Sequence, residues 1–260
     1  MDLQLKNKVV VITGGAKGIG AAITRECARE GAIPIVIDKD AVAGERLQSE
    51  LRGAGTTCKV ISGDLTRPEV CEAGVSDVQR EFGRIDALVN NAGVNDSIGL
   101  EHGTPEKFVG SLQLNLLHYY NMAHYALPAL KAKRGSIVNI ASKVAMTGQG
   151  GTSGYAAAKG GILALTREWA AELLQYGIRV NAILPAEVMT PLYQEWLSKF
   201  PNPEEKRERI VKKIPLGKRM TEPAEIAAIV LFLISVQAAH ITGQHISVDG
   251  GYVHLDRALT

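Results

Sequence analysis

Cysteine is scarce. Cys27, Cys58 and Cys71 are the only three in 260 residues, and no two form a C-x-x-C pair. An odd number at wide spacing excludes a disulfide framework and a thiolate zinc site, and points to isolated thiols in a reducing compartment. The six histidines show no metal-ligand spacing either, so no bound metal is expected; His118 and His124 read as packing or interface residues of a helix. Net charge is only +2, too small to mark a nucleic-acid or acidic-membrane surface. The longest apolar stretch, Ala224 to Ile234, contains Glu225 and is too short to span a bilayer. The first six residues lack the apolar core of a signal peptide, which makes a cytoplasmic protein the expectation. No repeat, low-complexity stretch or Pro/Gly/Ser-rich linker divides the chain, so one domain over residues 1–260 is expected.

What is present is a rhythm. Short β-branched runs occur at Val9–Ile12, Ile33–Ile37, Thr57–Ile61, Ala87–Val89, Ser136–Ile140, Ile178–Ile183 and Ile246–Val248. Pro34 suggests a strand start or an edge position. Helical patterns lie between them, at about 18–30, 41–53, 68–82, 105–130, 153–176 and 222–235. Pro68 and Pro223 fit first helical turns, and Gly31, Gly83 and Gly177 fit the residues just past helix ends. This alternation predicts an α/β fold: a doubly wound parallel sheet of about seven strands with helices on both faces. Residues 186–220 interrupt the rhythm. They hold Trp196, three prolines between Pro191 and Pro203, and the mixed-charge run Glu204–Arg209. They are read as a mobile insertion over the substrate cleft, the charge run as a solvated helix face.

Thr13-Gly14-Gly15-Ala16-Lys17-Gly18-Ile19-Gly20 joins the first strand to the first helix. Gly14 allows a tight turn, Gly18 close approach of a pyrophosphate, and Gly20 close helix–sheet packing. The helix start then offers free N–H groups to phosphate. Asp38 ends the second strand, where a carboxylate can accept from both ribose hydroxyls and repel a 2′-phosphate. That favours NAD; Lys17 and Lys39 close by keep NADP as an alternative. Asp64 could accept from an adenine amino group or form an Asx-turn.

Tyr155 and Lys159 stand four apart on the helix predicted at 153–176, about 40° from one another around its axis. A cation there favours the phenolate, which otherwise forms near pH ~10. The Ser142 hydroxyl can donate to, or accept from, a substrate oxygen.

Together these residues resemble the short-chain dehydrogenase/reductase family over nearly the whole chain. Thr13-Gly14-x-x-x-Gly18-x-Gly20 is similar to its cofactor motif, and Asn90-Asn91-Ala92-Gly93 to its motif after the fourth strand. Asn115, Ser142, Tyr155 and Lys159 match its catalytic tetrad. The resemblance implies a Rossmann-type fold and nicotinamide-dependent oxidoreduction, commonly in a homotetramer. It implies that Tyr155 is the acid/base and Ser142 orients the substrate oxygen. Lys159 would bind the nicotinamide ribose and lower the Tyr155 pKa, and Asn115 would hold a relay water. The implied cofactor contacts are Gly14, Lys17, Gly18, Ile19, Gly20, Asp38, Asp64, Leu65, Asn91, Ala92, Gly93, Tyr155, Lys159, Pro185, Val188 and Thr190. One departure stands out: Pro185-Ala186-Glu187 replaces the family's usual Pro-Gly.

Candidate substrate contacts are Asn95, Ser142, Lys143, Gln149, Thr152, Tyr155 and Glu187, a polar set that suits a polyhydroxylated molecule better than a lipid. At finer grain the stretches 91–96, 118–120, 147–150, 185–193 and 248–257 resemble bacterial L-fucose dehydrogenases. That implies oxidation of an aldose at C1 to its lactone. Two alternatives remain within the family: a dehydrogenase of a 2-keto-3-deoxy sugar acid, with Lys143 or Arg257 pairing a substrate carboxylate, and a hydroxysteroid dehydrogenase. A non-catalytic NAD-sensing regulator is the reading from another class. The tail after Gly251 is read as reaching a neighbouring subunit's site.

Overall fold

In a computed structural model, residues 2–255 are described. Seven strands form one parallel sheet in the order β3-β2-β1-β4-β5-β6-β7. They are β1 (Val9–Thr13), β2 (Ile33–Asp38), β3 (Lys59–Ser62), β4 (Ala87–Asn90), β5 (Ser136–Ile140), β6 (Arg179–Pro185) and β7 (His245–Val248). The central strands are mostly apolar because helices cover both faces. Alternate residues of β1 serve the two faces. Val9 and Val11 join one core with α3 (Pro68–Phe82), α5 (His118–Lys133) and α6 (Ser153–Glu172). Val10 and Ile12 join the other with α1 (Gly18–Arg29) and α9 (Pro223–Ile234). Helix α2 (Ala41–Gly53) packs on α1 and β3. All three cysteines are buried and unpaired.

The strand order reverses between β1 and β4. Chains leave these two neighbours in opposite directions, which opens a crevice at their carboxyl ends, the position where such sheets bind ligands.

Pro34 stands at the start of β2, as its second residue, and β2 is interior to the sheet, so of the two alternatives the strand start holds and the edge does not. Two expectations needed correction. The helix expected over 105–130 is two helices, α4 (Pro105–Leu112) and α5, joined by a π-helical turn at Gln113–Leu117. Residues 186–220 hold two helices, α7 (Pro191–Ser198) and α8 (Pro203–Val211). Two of the three prolines that seemed to interrupt order, Pro191 and Pro203, begin these helices. Each occupies the first turn, where no N–H is needed, behind a capping side chain: Thr190 accepts from the Tyr193 N–H, and Asn202 from that of Glu205. The segment is also tied at its base, where Val188 bridges Thr221.

Candidate active site

The glycine turn fills one side of the crevice. Gly14 and Gly18 adopt φ of +62° and +55°, which side chains disfavour. A Cβ on Gly20 would lie 2.0 Å from the Gly14 carbonyl oxygen. Thr13 latches the turn to β4: its hydroxyl accepts from the Asn91 and Ala92 N–H groups at 2.9 and 3.1 Å. The Asn91 amide returns two bonds of 3.0 Å, to the Thr13 and Gly14 carbonyls. Helix α1 starts at Gly18 with no side-chain cap and no acidic residue in its first turn. Its leading N–H groups are therefore free for an anion.

Asp38 is oriented by the turn itself, accepting from the Ala16 and Asp40 N–H groups at 3.0 Å each. Lys17 is turned away to Asp40, at 2.6 Å. Asp64 forms the Asx-turn, accepting from the Thr66 N–H at 3.0 Å and hydroxyl at 2.8 Å. Ile19 and Leu65 pack into the two cores. On the far wall Thr190 faces Gly18, its methyl 3.3 Å from where a Cβ would stand. The Val188–Thr221 bridge is made by the Glu187 carbonyl and the Met189 N–H. Val188's own N–H and C=O point out of it, with no backbone partner among the described residues. Bare glycines, an uncapped helix start, a fixed carboxylate and an open peptide unit together fit a dinucleotide.

Lys159 lies behind Gly93, its ammonium 3.4 Å from a Cβ built there. The ammonium donates to the Ile140 carbonyl at 2.9 Å and to the Tyr119 hydroxyl at 3.1 Å. Tyr119, which the sequence reading missed, stands one turn after Asn115 and donates its own proton to the same carbonyl at 2.8 Å. The Tyr155 ring lies with its centroid 5.5 Å from the ammonium, and the Ser142 hydroxyl hydrogen-bonds its phenol. Ser142 is set at the end of β5 by accepting from the Val144 N–H. The structure thus brings Ser142, Tyr155 and Lys159 together.

The electrostatics differ from expectation. Burial pushes the Tyr155 phenol up to about 12, and Ser142's hydrogen bond only partly opposes it. Burial also pushes Lys159 down to about 7, which weakens the cation that was to favour phenolate. The Asn115 side chain is spent on structure. It sits in the π turn, accepts from the Val94 N–H at 2.8 Å and donates to the Ser111 carbonyl at 3.1 Å. π turns in helices often occur at functional sites, and this one aims Asn115 at the loop beside Lys159.

The Lys159 value carries a testable sign. Its unfolded value is near 10.5 and its folded value about 7. Between these the unfolded chain holds the extra proton, so stability climbs as pH rises from 7. Raising the pH of the ligand-free protein from about 7 to 9 should add about 2 kcal/mol through this group. Thermal melts across that range check it, with Lys159→Met as the reference that lacks the rise.

The substrate rim is more engaged than expected. Lys143 and Glu187 form a largely buried ion pair with each other. The Tyr193 hydroxyl donates to Glu187 at 2.6 Å, and Lys143 lies over the Tyr252 ring. Burial and the Glu187 carboxylate push the Tyr193 phenol up. Thr152 is buried at the start of α6, while Gln149 and Asn95 are exposed. The Asn95 side chain accepts from the Ser97 N–H within its own loop. Arg257 lies outside the described residues, as does most of the tail expected at a neighbouring site. No metal-binding cluster of His, Cys, Asp or Glu occurs among the described residues, and no helix there is long and apolar enough to cross a membrane.

A family model described as enoyl-(acyl carrier protein) reductase matches residues 14–253. The chain belongs to the short-chain dehydrogenase/reductase family. It is an oxidoreductase acting on CH–OH groups and uses a nicotinamide cofactor. It is 43% identical to the L-fucose dehydrogenase of Oryctolagus cuniculus over 245 residues, covering 94% of this chain and 84% of that one. The crystal structure of Cj0485 dehydrogenase is 48% identical, with a TM-score of 0.95, over 100% of this chain and 99% of that one. The ligand-free aldohexose dehydrogenase of Thermoplasma acidophilum is 30% identical, with a TM-score of 0.89, over 99% and 98%. The L-fucose dehydrogenases matched are mammalian, where the sequence reading pointed to bacterial ones.

Proposed function

We propose that the protein oxidises a sugar hydroxyl with NAD, acting on an aldose such as L-fucose at C1 to give the lactone. The observation that carries this is the grouping of Ser142 and Tyr155 in front of Lys159, beside a rim of polar side chains. Relatives named for L-fucose and aldohexose support the sugar class.

Asp38 would accept from the adenosine ribose hydroxyls, and its charge disfavours a 2′-phosphate. Lys17 is committed first to Asp40 and feels the Asp38 charge less. The start of α1 would hold the pyrophosphate, and Asn91, Ala92, Gly93, Pro185, Val188 and Thr190 would line the nicotinamide half. Bound NAD supplies the hydride acceptor and a positive ring charge. Ser142 holds the substrate oxygen against Tyr155. Tyr155 takes the hydroxyl proton as the C–H bond breaks, and Lys159 stabilises the phenolate and holds the nicotinamide ribose. The helices of 186–220 would cap the substrate, with Glu187 and Tyr193 on the inner side. A homotetramer is the proposed assembly.

The sugar-acid reading needs a cation for the substrate carboxylate. Lys143 is already neutralised by Glu187, which favours a neutral sugar. A panel followed by NADH or NADPH absorbance tests the proposal: L-fucose, L-galactose, D-arabinose, 2-keto-3-deoxy-L-fuconate and estradiol, each with both cofactors. L-fucose or a related aldose with NAD should give the highest kcat/KM. No aldose turnover, or preference for the sugar acid or the steroid, would overturn the reading.

A further inference from the structure

Asp96 was not among the residues singled out from the sequence, yet its side chain is the anomaly of this site. Five buried side-chain polar atoms have no hydrogen-bond partner among the described residues: Asn90 Oδ1, Asp96 Oδ1, Ser111 Oγ, His118 Nδ1 and Ser136 Oγ. Asp96 Oδ1 is the one that belongs to a carboxylate. An unmatched buried oxygen costs most when its group is charged, so this atom needs an explanation the other four do not.

Its loop is fixed from both sides by the catalytic residues. At one end the Val94 N–H donates to Asn115 Oδ1 at 2.8 Å. At the other, the Gly154 N–H, one residue before Tyr155, donates to the Ile98 carbonyl at 3.0 Å. Gly99 packs bare against Gly151, where a Cβ would come within 2.9 Å of its Cα. Between the anchors, Ser97 takes a left-handed φ of +57° and Asn95 folds outward onto the Ser97 N–H. That turn leaves Asn95 exposed and Asp96 half-buried, with its Oδ1 shielded from solvent. After burial, the Asp96 charge is among the influences that keep the Tyr155 phenol protonated, so the two groups share one electrostatic environment. No ion pair to Asp96 occurs among the described residues, and Lys143, the cation of the rim, is committed to Glu187.

We propose that Asp96 is a specificity-determining residue whose carboxylate accepts a hydrogen bond from the substrate hydroxyl on the carbon next to the one oxidised. A carboxylate offers acceptors only, so the group that satisfies it must be a donor such as a sugar hydroxyl. The same charge repels an anionic substrate. The inference rests on the sugar reading above and adds to it the hydroxyl that is recognised.

The test is a cycle of two enzymes and two substrates. Wild type and Asp96→Ala are each assayed with L-fucose and its 2-deoxy analogue. Cofactor affinity, read by fluorescence quenching, reports that the variant keeps its fold. Asp96→Ala should lose about 10- to 100-fold in kcat/KM on L-fucose and little on the 2-deoxy sugar. Asp96→Asn, which retains one acceptor oxygen, should restore part of the loss on L-fucose. Equal losses on both sugars, or no loss on either, would overturn the inference while leaving the sugar reading intact. A wild type that oxidises no aldose would overturn both.

Discussion

Tyr155→Phe should lower kcat by about 10²–10⁴-fold while leaving cofactor affinity close to wild type. The substitution keeps the ring that packs 5.5 Å from the Lys159 ammonium and removes only the hydroxyl that Ser142 holds. The loss belongs in kcat because the proton moves in the transition state, whereas much of the substrate's binding comes from groups that remain. Steady-state kinetics with NAD and the best sugar, beside a direct cofactor titration, separate the two quantities. A variant with unchanged turnover would place the base elsewhere. A wild type that binds NAD but turns over no substrate would support the sensing regulator instead. The pH profile adds a sign. With the phenol at about 12 in the ligand-free fold, turnover should rise with pH through the neutral range.

Gly20→Ala should destabilise the protein by about 2–3 kcal/mol and reduce NAD affinity by more than about 100-fold. Two effects compete here. Gly20 lies inside α1 at an ordinary φ, where alanine is the better helix former by about 1 kcal/mol. Against that, the added methyl would lie 2.0 Å from the Gly14 carbonyl oxygen and 2.7 Å from the Asn91 amide nitrogen. Neither neighbour can yield easily, since the two are hydrogen-bonded to each other at 3.0 Å. The clash should win, and relief requires the glycine turn to move out of its phosphate-binding shape. Thermal melts and NAD titration check both parts; a variant more stable than wild type would show that the turn can give way.

The sheet was readable because parallel strands covered on both faces leave apolar runs that no loop needs, such as Val9–Ile12 and Ser136–Ile140. The glycine turn was readable because its residues are contiguous. The π turn was not: Gln113–Leu117 carries no breaker, and its extra residue comes from packing Asn115 against the loop at Val94. Helix α8 was legible only as a solvated face in the run Glu204–Arg209, and α7 was missed, because Pro191 and Pro203 look like breakers until their capping residues are recognised. Site chemistry was legible by residue type and less so by pairing. Lys143 and Glu187 are 44 residues apart, so nothing in the chain announces that each cancels the other. Asn95 was chosen over the adjacent Asp96, because the sequence does not show that the turn at Ser97, with its left-handed φ, leaves Asn95 exposed and Asp96 half-buried.

The latch between Thr13 and Asn91 also bears on how the chain folds. It joins residues 78 apart, across strands that are neighbours in the sheet but are separated in sequence by all of β2 and β3. The glycine turn and α1 can take shape locally, within the first βαβ unit. The cleft cannot close until β4 has been made and docked, and contacts of such long range form slowly. A ribosome that has released only the first half of the sheet therefore holds a chain with a phosphate-binding turn and no opposite wall. The nicotinamide cofactor supplied during refolding would act late, by trapping the completed cleft, and would raise the yield of native protein more than its rate of first collapse.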